Sequence, residues 1–349
     1  MPAGRVRAAP SGVVRAVVIP RFGGPEVLRV MEMPRAPLAP ESVRIQVGAC
    51  GINFADVQMR MGLYPEAPRP PFVPGFEIAG TVTEAGPQVT LRPGDRVLGF
   101  TRFGGYTTEI VVPAAFVRKT PSFLSDTEAA AIPAAFATAW ISLMEMARVR
   151  AGDRVLVPGA AGGVGSAMVQ VAVRAGADVV GLVGASGKKD FVLSLGARQA
   201  MTYEEWKQAE KTLFDVVLEP RGGSQVRSSM AVLAPGGRVV CYGVSSLVTG
   251  PRRSLPRAIL GLLQTPLLTP IGLAMSNQGI YGVNLLKYFD TEQSRAVIAN
   301  ALERILQGFE ERHYRPCLGK TWPFAKAGEA HSFLQGRQGS GKHVLCEKN

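Results

Sequence analysis

The strongest constraint in this chain is a run of eight residues, Pro158-Gly159-Ala160-Ala161-Gly162-Gly163-Val164-Gly165. A short apolar run, Arg154–Val157, precedes it. Apolar residues at helical spacing, Val164–Ala175, follow it. A glycine-rich turn between a buried strand and a helix gathers free backbone N–H groups and the positive end of the helix dipole at one point, where a phosphate binds. Set against G-x-G-x-x-G, the loop reads Ala160-x-Gly162-x-x-Gly165, with alanine in the first place. Gly162 admits close approach of a pyrophosphate, and Gly165 lets the helix pack on the strand. An ordinary glycine turn is the bland alternative, and the flanking elements weigh against it.

The same alternation continues beyond the loop. Asp178–Val183, Phe214–Leu218 and Arg238–Tyr242 read as strands, and Lys188–Leu195 as a helix ended by Gly196. That rhythm predicts an α/β fold with a Rossmann-type, doubly wound parallel sheet. Upstream, Val14–Ile19, Ser42–Val47, Ile78–Glu84 and Arg96–Phe100 are short β-branched runs broken by glycine and proline, which predicts a β-rich antiparallel domain. Between them Ser125-Asp-Thr-Glu128 forms a capping box ahead of an alanine-rich helix interrupted at Pro133. A chain of 349 residues supports two such domains.

The end of the second parallel strand separates NAD from NADP. An NAD site presents Asp or Glu there to the ribose 2′-hydroxyl. This chain reads Gly181-Leu-Val-Gly184-Ala185-Ser186-Gly187-Lys188-Lys189, with no carboxylate. Ser186 with Lys188 or Lys189 suits a 2′-phosphate, so NADP(H) is expected. The competing reading makes both lysines solvated helix-start residues.

Other features exclude more than they assign. A net charge of +12 is spread along the chain, without an arginine-rich helix, aromatic RNA-binding signature or zinc finger, so no nucleic-acid partner is expected. Cys50, Cys241, Cys317 and Cys346 form no CxxC pair, which fits a reduced, cytoplasmic setting. His313, His331 and His343 lack ligand spacing and read as surface or packing residues. Residues 1–12 read as a disordered tail, with a short transit-type leader as the alternative. Ala258–Met275 is apolar, but Gln264, Thr265, Pro266, Thr269 and Pro270 argue against a membrane span and for a flap or helical lid. Arg252, Arg253 and Arg257 precede it and leave a lipid-surface role open.

The ordered set Cys50-Gly-Ile-Asn53-Phe-Ala-Asp56 with Gly62-Leu-Tyr64, Pro74-Gly75-Phe76-Glu77, Gly94-Asp95-Arg96-Val97, the glycine loop and Gly341-Lys342-His343-Val344-Leu345 resembles the zinc-independent quinone oxidoreductase (zeta-crystallin-like) branch of the medium-chain dehydrogenase/reductase superfamily. Tyr242–Pro251 and Trp322-Pro323-Phe324 are similar to its vesicle amine transport protein homologues. The resemblance implies a GroES-like catalytic domain over residues 13–137, a Rossmann NADP(H) domain over 138–285 and a C-terminal return to the catalytic domain over 286–349. It also implies a homodimer through the Rossmann sheets near Gly279–Leu285.

By that resemblance Asn53 stands where zinc-dependent relatives have a cysteine ligand, and Phe76 where they have a histidine. An amide and a phenyl ring make a poor Zn²⁺ site, so no metal is expected. Without a Lewis acid, hydride addition to a quinone or α,β-unsaturated carbonyl remains feasible, because the charge spreads over a conjugated system. Asn53 and Tyr64 are the candidates to face nicotinamide and substrate, with Asn53 free to donate to ribose or a substrate oxygen. Asp56 joins the catalytic set chiefly as a loop anchor. The cofactor set is Asn53, Thr138, Ala160, Gly162, Gly163, Val164, Gly165, Ser186, Lys188, Lys189, Tyr203, Gly243, Val244 and Lys342, with Arg337 a weaker addition. Tyr203 is expected near the 2′-phosphate, against a plain packing role. The expected activity is NADPH-dependent reduction of an apolar quinone or enone. A pathway-specific enoyl or ketone reductase, or an NADPH-binding lipid-transfer or membrane-associated protein without turnover, are the alternatives.

Overall fold

The computed structural model describes residues 12–347, apart from 211 and 249–254. The expected tail, except Gly12, and Arg252 and Arg253 of the basic cluster therefore lie outside the described residues.

Six parallel strands form one sheet in the order Gln199–Thr202, Asp178–Val183, Arg154–Pro158, Phe214–Glu219, Leu233–Cys241, Gly279–Gly282. Val155–Val157 and Val216–Leu218 are buried, as the central strands of a sheet covered on both faces must be. From Arg154–Pro158 the chain first fills one side of the sheet and then, starting with Phe214–Glu219, the other. The crevice at the carboxyl ends of those two strands is the topological switch point of this architecture.

Seven strands form the second large sheet, in the order Leu318–Pro323, Lys342–Cys346, Ser42–Gly51, Glu77–Ala85, Arg96–Phe100, Val117–Lys119, with Glu109–Pro113 paired to Ser42–Gly51. Pairing is antiparallel except between the two C-terminal strands. Val43, Ile45 and Val47 pack with Ile78, Val82, Val97 and Leu345 in its core. The last strand thus completes a sheet begun near residue 42.

Helices join the two lobes. Ser125 caps Asp126–Ala130 and exchanges hydrogen bonds with Glu128 in the expected capping box. The chain breaks before Pro133, and the next helix, Pro133–Trp140, runs across position 137/138. The long helix Glu292–Glu310 lays Phe309 edge-on against Phe136, ring centroids 4.9 Å apart, before the chain enters the seven-stranded sheet at Leu318.

The apolar stretch 258–275 contributes to two short helices, Leu255–Leu263 and Pro270–Ser276. Thr269 caps the second, with Pro270 in its first turn. Leu263, Leu267, Ile271 and Met275 stand in solvent, 77–92% exposed, rather than closing over a cleft. Among the described residues no helix is long and apolar enough to cross a membrane.

Candidate active site

The glycine loop sits at the switch point. Gly159 takes φ +73°, a left-handed conformation that favours glycine, so the tight turn falls one residue before the place held by Ala160. Ala160 itself is buried, its N–H bonded to the Leu182 carbonyl at 3.0 Å. Gly162 caps the helix Gly163–Arg174 and is exposed. The amides of Gly163, Val164 and Gly165 lie ahead of the first full-turn bond, from Ser166 N–H to Gly162 O at 2.8 Å. Gly165 is buried, and a Cβ there would run into the Gly159 carbonyl and lie 2.8 Å from Ala160 Cα. At Gly162 a Cβ would meet only the Gly159 oxygen, at 3.3 Å. The turn is therefore open where a pyrophosphate would lie and closed where the helix crosses the strand.

The crevice is basic beside the strand Asp178–Val183. Thr202 pairs with Val183 across neighbouring strands, so Tyr203 and the Gly184–Lys189 turn emerge side by side. Ser186 is exposed. Lys188 Nζ donates to the Arg337 carbonyl at 3.0 Å, whereas Lys189 pairs with Glu205 at 2.9 Å. The Tyr203 hydroxyl lies at the Gly159 backbone amide, and burial raises its pKa. Arg221 lies over the Tyr203 ring, 5.0 Å from its centroid, held in two hydrogen bonds by the fully buried Glu219. Arg221 was missed in the sequence; the one signal was an acid two places before an arginine at a strand end. Gly341 N–H bonds to Ala161 O at 2.8 Å, so the C-terminal segment docks on the glycine loop. Gly243 and Val244 follow a strand at the same edge. Val244 O accepts from Gln58 Nε2 at 3.3 Å, a bridge to the other lobe.

Asn53 caps the helix Phe54–Arg60. Its amide is not free in the way the sequence implied. Oδ1 accepts from Lys342 Nζ at 2.6 Å, and Nδ2 donates one hydrogen to Glu77 Oε1 at 2.9 Å. Lys342 Nζ is also 2.6 Å from that Glu77 oxygen. The other Glu77 oxygen accepts the Ala134 N–H at 2.7 Å. Glu77 was read only as part of a motif; an acid opening a buried strand was its signal. The Lys342 stem runs along the glycine loop, its Cδ 3.0 Å from where a Gly163 Cβ would be. One side chain thus links the cofactor loop to Asn53.

Asp56 has no exposed surface. Its oxygens accept from Asn53 N–H at 2.7 Å, Gly75 N–H at 3.0 Å and Tyr106 O–H at 3.1 Å. It ties the Asn53 turn to the loop before Phe76, which is an anchoring task. Burial raises its carboxyl pKa to about 7, against the opposing pull of these donors and Lys342. Tyr106 also contacts His331 Nε2 at 3.1 Å, which places His331 in the core. Tyr64 packs on Phe76, ring centroids 6.2 Å apart, and Phe76 on Phe103. Burial pushes the Tyr64 phenol up, so it stays a proton-bearing donor. Thr138 donates its hydroxyl to Ala134 O at 2.7 Å and keeps its acceptor pairs.

Residues 39–122 match the model for the alcohol dehydrogenase GroES-like domain, and residues 163–268 that for zinc-binding dehydrogenases. The synaptic vesicle membrane protein VAT-1 homolog of Homo sapiens is 32% identical over 342 residues, covering 95% of this chain and 86% of the relative. The quinone oxidoreductase of Lama guanicoe is 32% identical over 347 residues, covering 96% of this chain and 98% of the relative. The solved quinone oxidoreductase of Thermus thermophilus, described together with its NADPH complex, superposes with a TM-score of 0.77 at 32% identity, covering 95% of this chain and 99% of that one. The chain belongs to the zinc-independent quinone oxidoreductase branch of the medium-chain dehydrogenase/reductase superfamily.

One matched model carries zinc in its description, yet the geometry here opposes a metal. Asn53 Oδ1 and Glu77 Oε1 already converge on the buried Lys342 ammonium, which would repel a divalent cation. Phe76 adds no donor, and among the described residues no cluster of three His, Cys, Asp or Glu can hold a metal ion. A lysine head lies against Asn53, where the resemblance implies a cysteine ligand in zinc-dependent relatives.

Proposed function

We propose that this oxidoreductase uses NADPH to reduce an apolar quinone or α,β-unsaturated carbonyl without zinc. The observation that carries the reading is Lys342, whose stem lies on the glycine loop and whose head holds Asn53. It puts the hydrogen-bonding wall of Asn53 within one lysine side chain of the dinucleotide turn. The glycine-loop amides hold the pyrophosphate. Ser186, Lys188, Tyr203 and Arg221 face the 2′-phosphate, and Thr138, Gly243 and Val244 line the path between. Bound NADPH supplies the hydride. Asn53 and Tyr64 donate hydrogen bonds to the substrate oxygen, while Phe76 and Phe103 offer apolar surface to a ring. The test is NADPH consumption with a panel of quinones and small enones, comparing kcat/KM for NADPH and NADH. Turnover favouring NADH, or none with any acceptor, overturns the reading.

The same reading divides the chain at 137/138 and 285/286, places the protein in the cytoplasm and pairs two copies through Gly279–Gly282. Among the described residues that strand forms one edge of the six-stranded sheet and pairs on one side only, with Leu233–Cys241. Light scattering that finds a monomer would overturn the pairing. A second reading is supported by the solvent-facing Leu263, Leu267, Ile271 and Met275: these helices lie on a lipid surface. Flotation with anionic liposomes tests it. Recovery of the protein with the vesicles, lost in Leu267→Glu/Ile271→Glu, supports it; failure to float removes it.

A further inference from the structure

Asn53 is held at both ends of its amide. Its oxygen accepts from Lys342 Nζ at 2.6 Å, and one of its two amide hydrogens goes to Glu77 at 2.9 Å. The second N–H has no protein partner among the described residues. Lys342 and Glu77 are 4% and 0% exposed, so neither is loosened by solvent. Glu77 is itself fixed by the Ala134 N–H, in the first turn of Pro133–Trp140. If the amide flipped, its NH₂ group would face the ammonium, donor against donor, and its carbonyl would face the Glu77 carboxylate, acceptor against acceptor. Lys342, with Glu77, therefore decides which end of Asn53 is free.

We propose that Lys342 is a positioning residue for the reduction: it locks the Asn53 amide so that an N–H, not a carbonyl, meets the substrate oxygen. This rests on the reductase reading above. As hydride reaches a conjugated carbonyl, negative charge gathers on that oxygen. A locked donor costs no reorganisation at that moment, and a buried ammonium lies one amide beyond it. The ammonium touches Asn53 Oδ1 and Glu77, and it acts through an amide rather than by coordination. Lys342 transfers no proton in this role; the enolate or quinol proton comes from solvent or Tyr64.

The test uses the full-length protein and begins with wild-type turnover on the quinone and enone panel. A wild type that binds NADPH but reduces nothing overturns the reductase reading, and this role with it. Given turnover, Lys342→Met is expected to lower kcat about 100-fold, the scale of losing one oriented oxyanion donor, with the NADPH Kd within about threefold. Lys342→Arg restores part of the loss. In an Asn53→Ala background, Lys342→Met adds no more than about twofold, because both act through one amide. Lys342→Met leaves Glu77 buried without its cation, so Lys342→Met/Glu77→Gln is measured beside it, with thermal melts. The neutral pair should fold and keep the kcat loss. The proposal is overturned by wild-type kcat in that double variant. An equal loss in NADPH affinity, or multiplicative losses with Asn53→Ala, overturns it as well.

Discussion

Glu66 pairs with Lys287, just beyond the strand Gly279–Gly282, carboxylate to ammonium at 2.6 Å. Asn284 Nδ2 donates to the same carboxylate at 2.8 Å, and Arg102 meets Asp290 nearby at 3.3 Å. Lys287 is largely exposed, so water and salt screen this clasp. Glu66→Gln should therefore change kcat by no more than about fivefold, and the difference from wild type should shrink as salt is added. A larger, salt-independent loss would show that the clasp sets the geometry of catalysis.

The two loop glycines should fail in different ways. Gly165→Ala forces a methyl group into the Gly159 carbonyl and against Ala160, so Tm should fall along with NADPH binding. Gly162→Ala meets only one oxygen at 3.3 Å and needs no unusual backbone, since φ there is −78°. It should keep Tm within about 3 °C and weaken NADPH at least about tenfold by crowding the pyrophosphate. Calorimetry with fluorescence titration separates the two; equal Tm losses would refute the distinction.

Coenzyme choice should rest more on Lys188 and Arg221 than on Lys189, whose ammonium is paired with Glu205. Lys188→Ala is expected to raise the NADPH KM about tenfold and leave that for NADH nearly unchanged, the scale of one charge-assisted hydrogen bond. Lys189→Ala should cost about threefold or less. If the order is reversed, Lys189 leaves Glu205 when the phosphate arrives.

Asp56 gives the fold a pH signature. Its carboxyl has a pKa of about 7 when folded, against an ordinary value of 3.8. The folded state then holds the proton more tightly, so stability falls as pH rises from about 4 to about 7 and levels off above. Asp56→Asn should flatten that slope and lower Tm throughout, because an amide NH₂ would oppose donors that now point at a carboxylate oxygen. Thermal melts across the window check this; an unchanged slope would assign it to another group.

What the sequence disclosed was local. The Asp178–Val183 and Arg96–Phe100 strands, the Ser125–Glu128 capping box and the glycine loop are each written in adjacent residues, and the structure has them at those positions. That Asn53 and Phe76 are not a cysteine and a histidine was readable too, because it needs only residue types. The contacts that define the site were not. Lys342 and Asn53 are 289 residues apart, and Tyr106 and His331 are 225 apart. No periodicity encodes a pairing made when distant strands become neighbours. Asn53 therefore looked like a free donor, although its oxygen and one hydrogen are already engaged. Arg221 escaped notice because its orientation depends on Glu219 and Tyr203 belonging to different strand ends.

The strand Lys342–Cys346 lies between Leu318–Pro323 and Ser42–Gly51, in a sheet whose five earlier strands all fall within residues 42–119. During synthesis Ala49–Gly51 must wait for a partner on that flank until residues 344–346 are made, although Ser42–Gln46 can already pair with Glu109–Pro113. The parallel sheet, formed from one continuous stretch, has no such delay and can serve as the platform on which the first lobe closes. Lys342 opens that strand, so its contact with Asn53 and the closing of the Ser42–Gly51 flank come in the same late event.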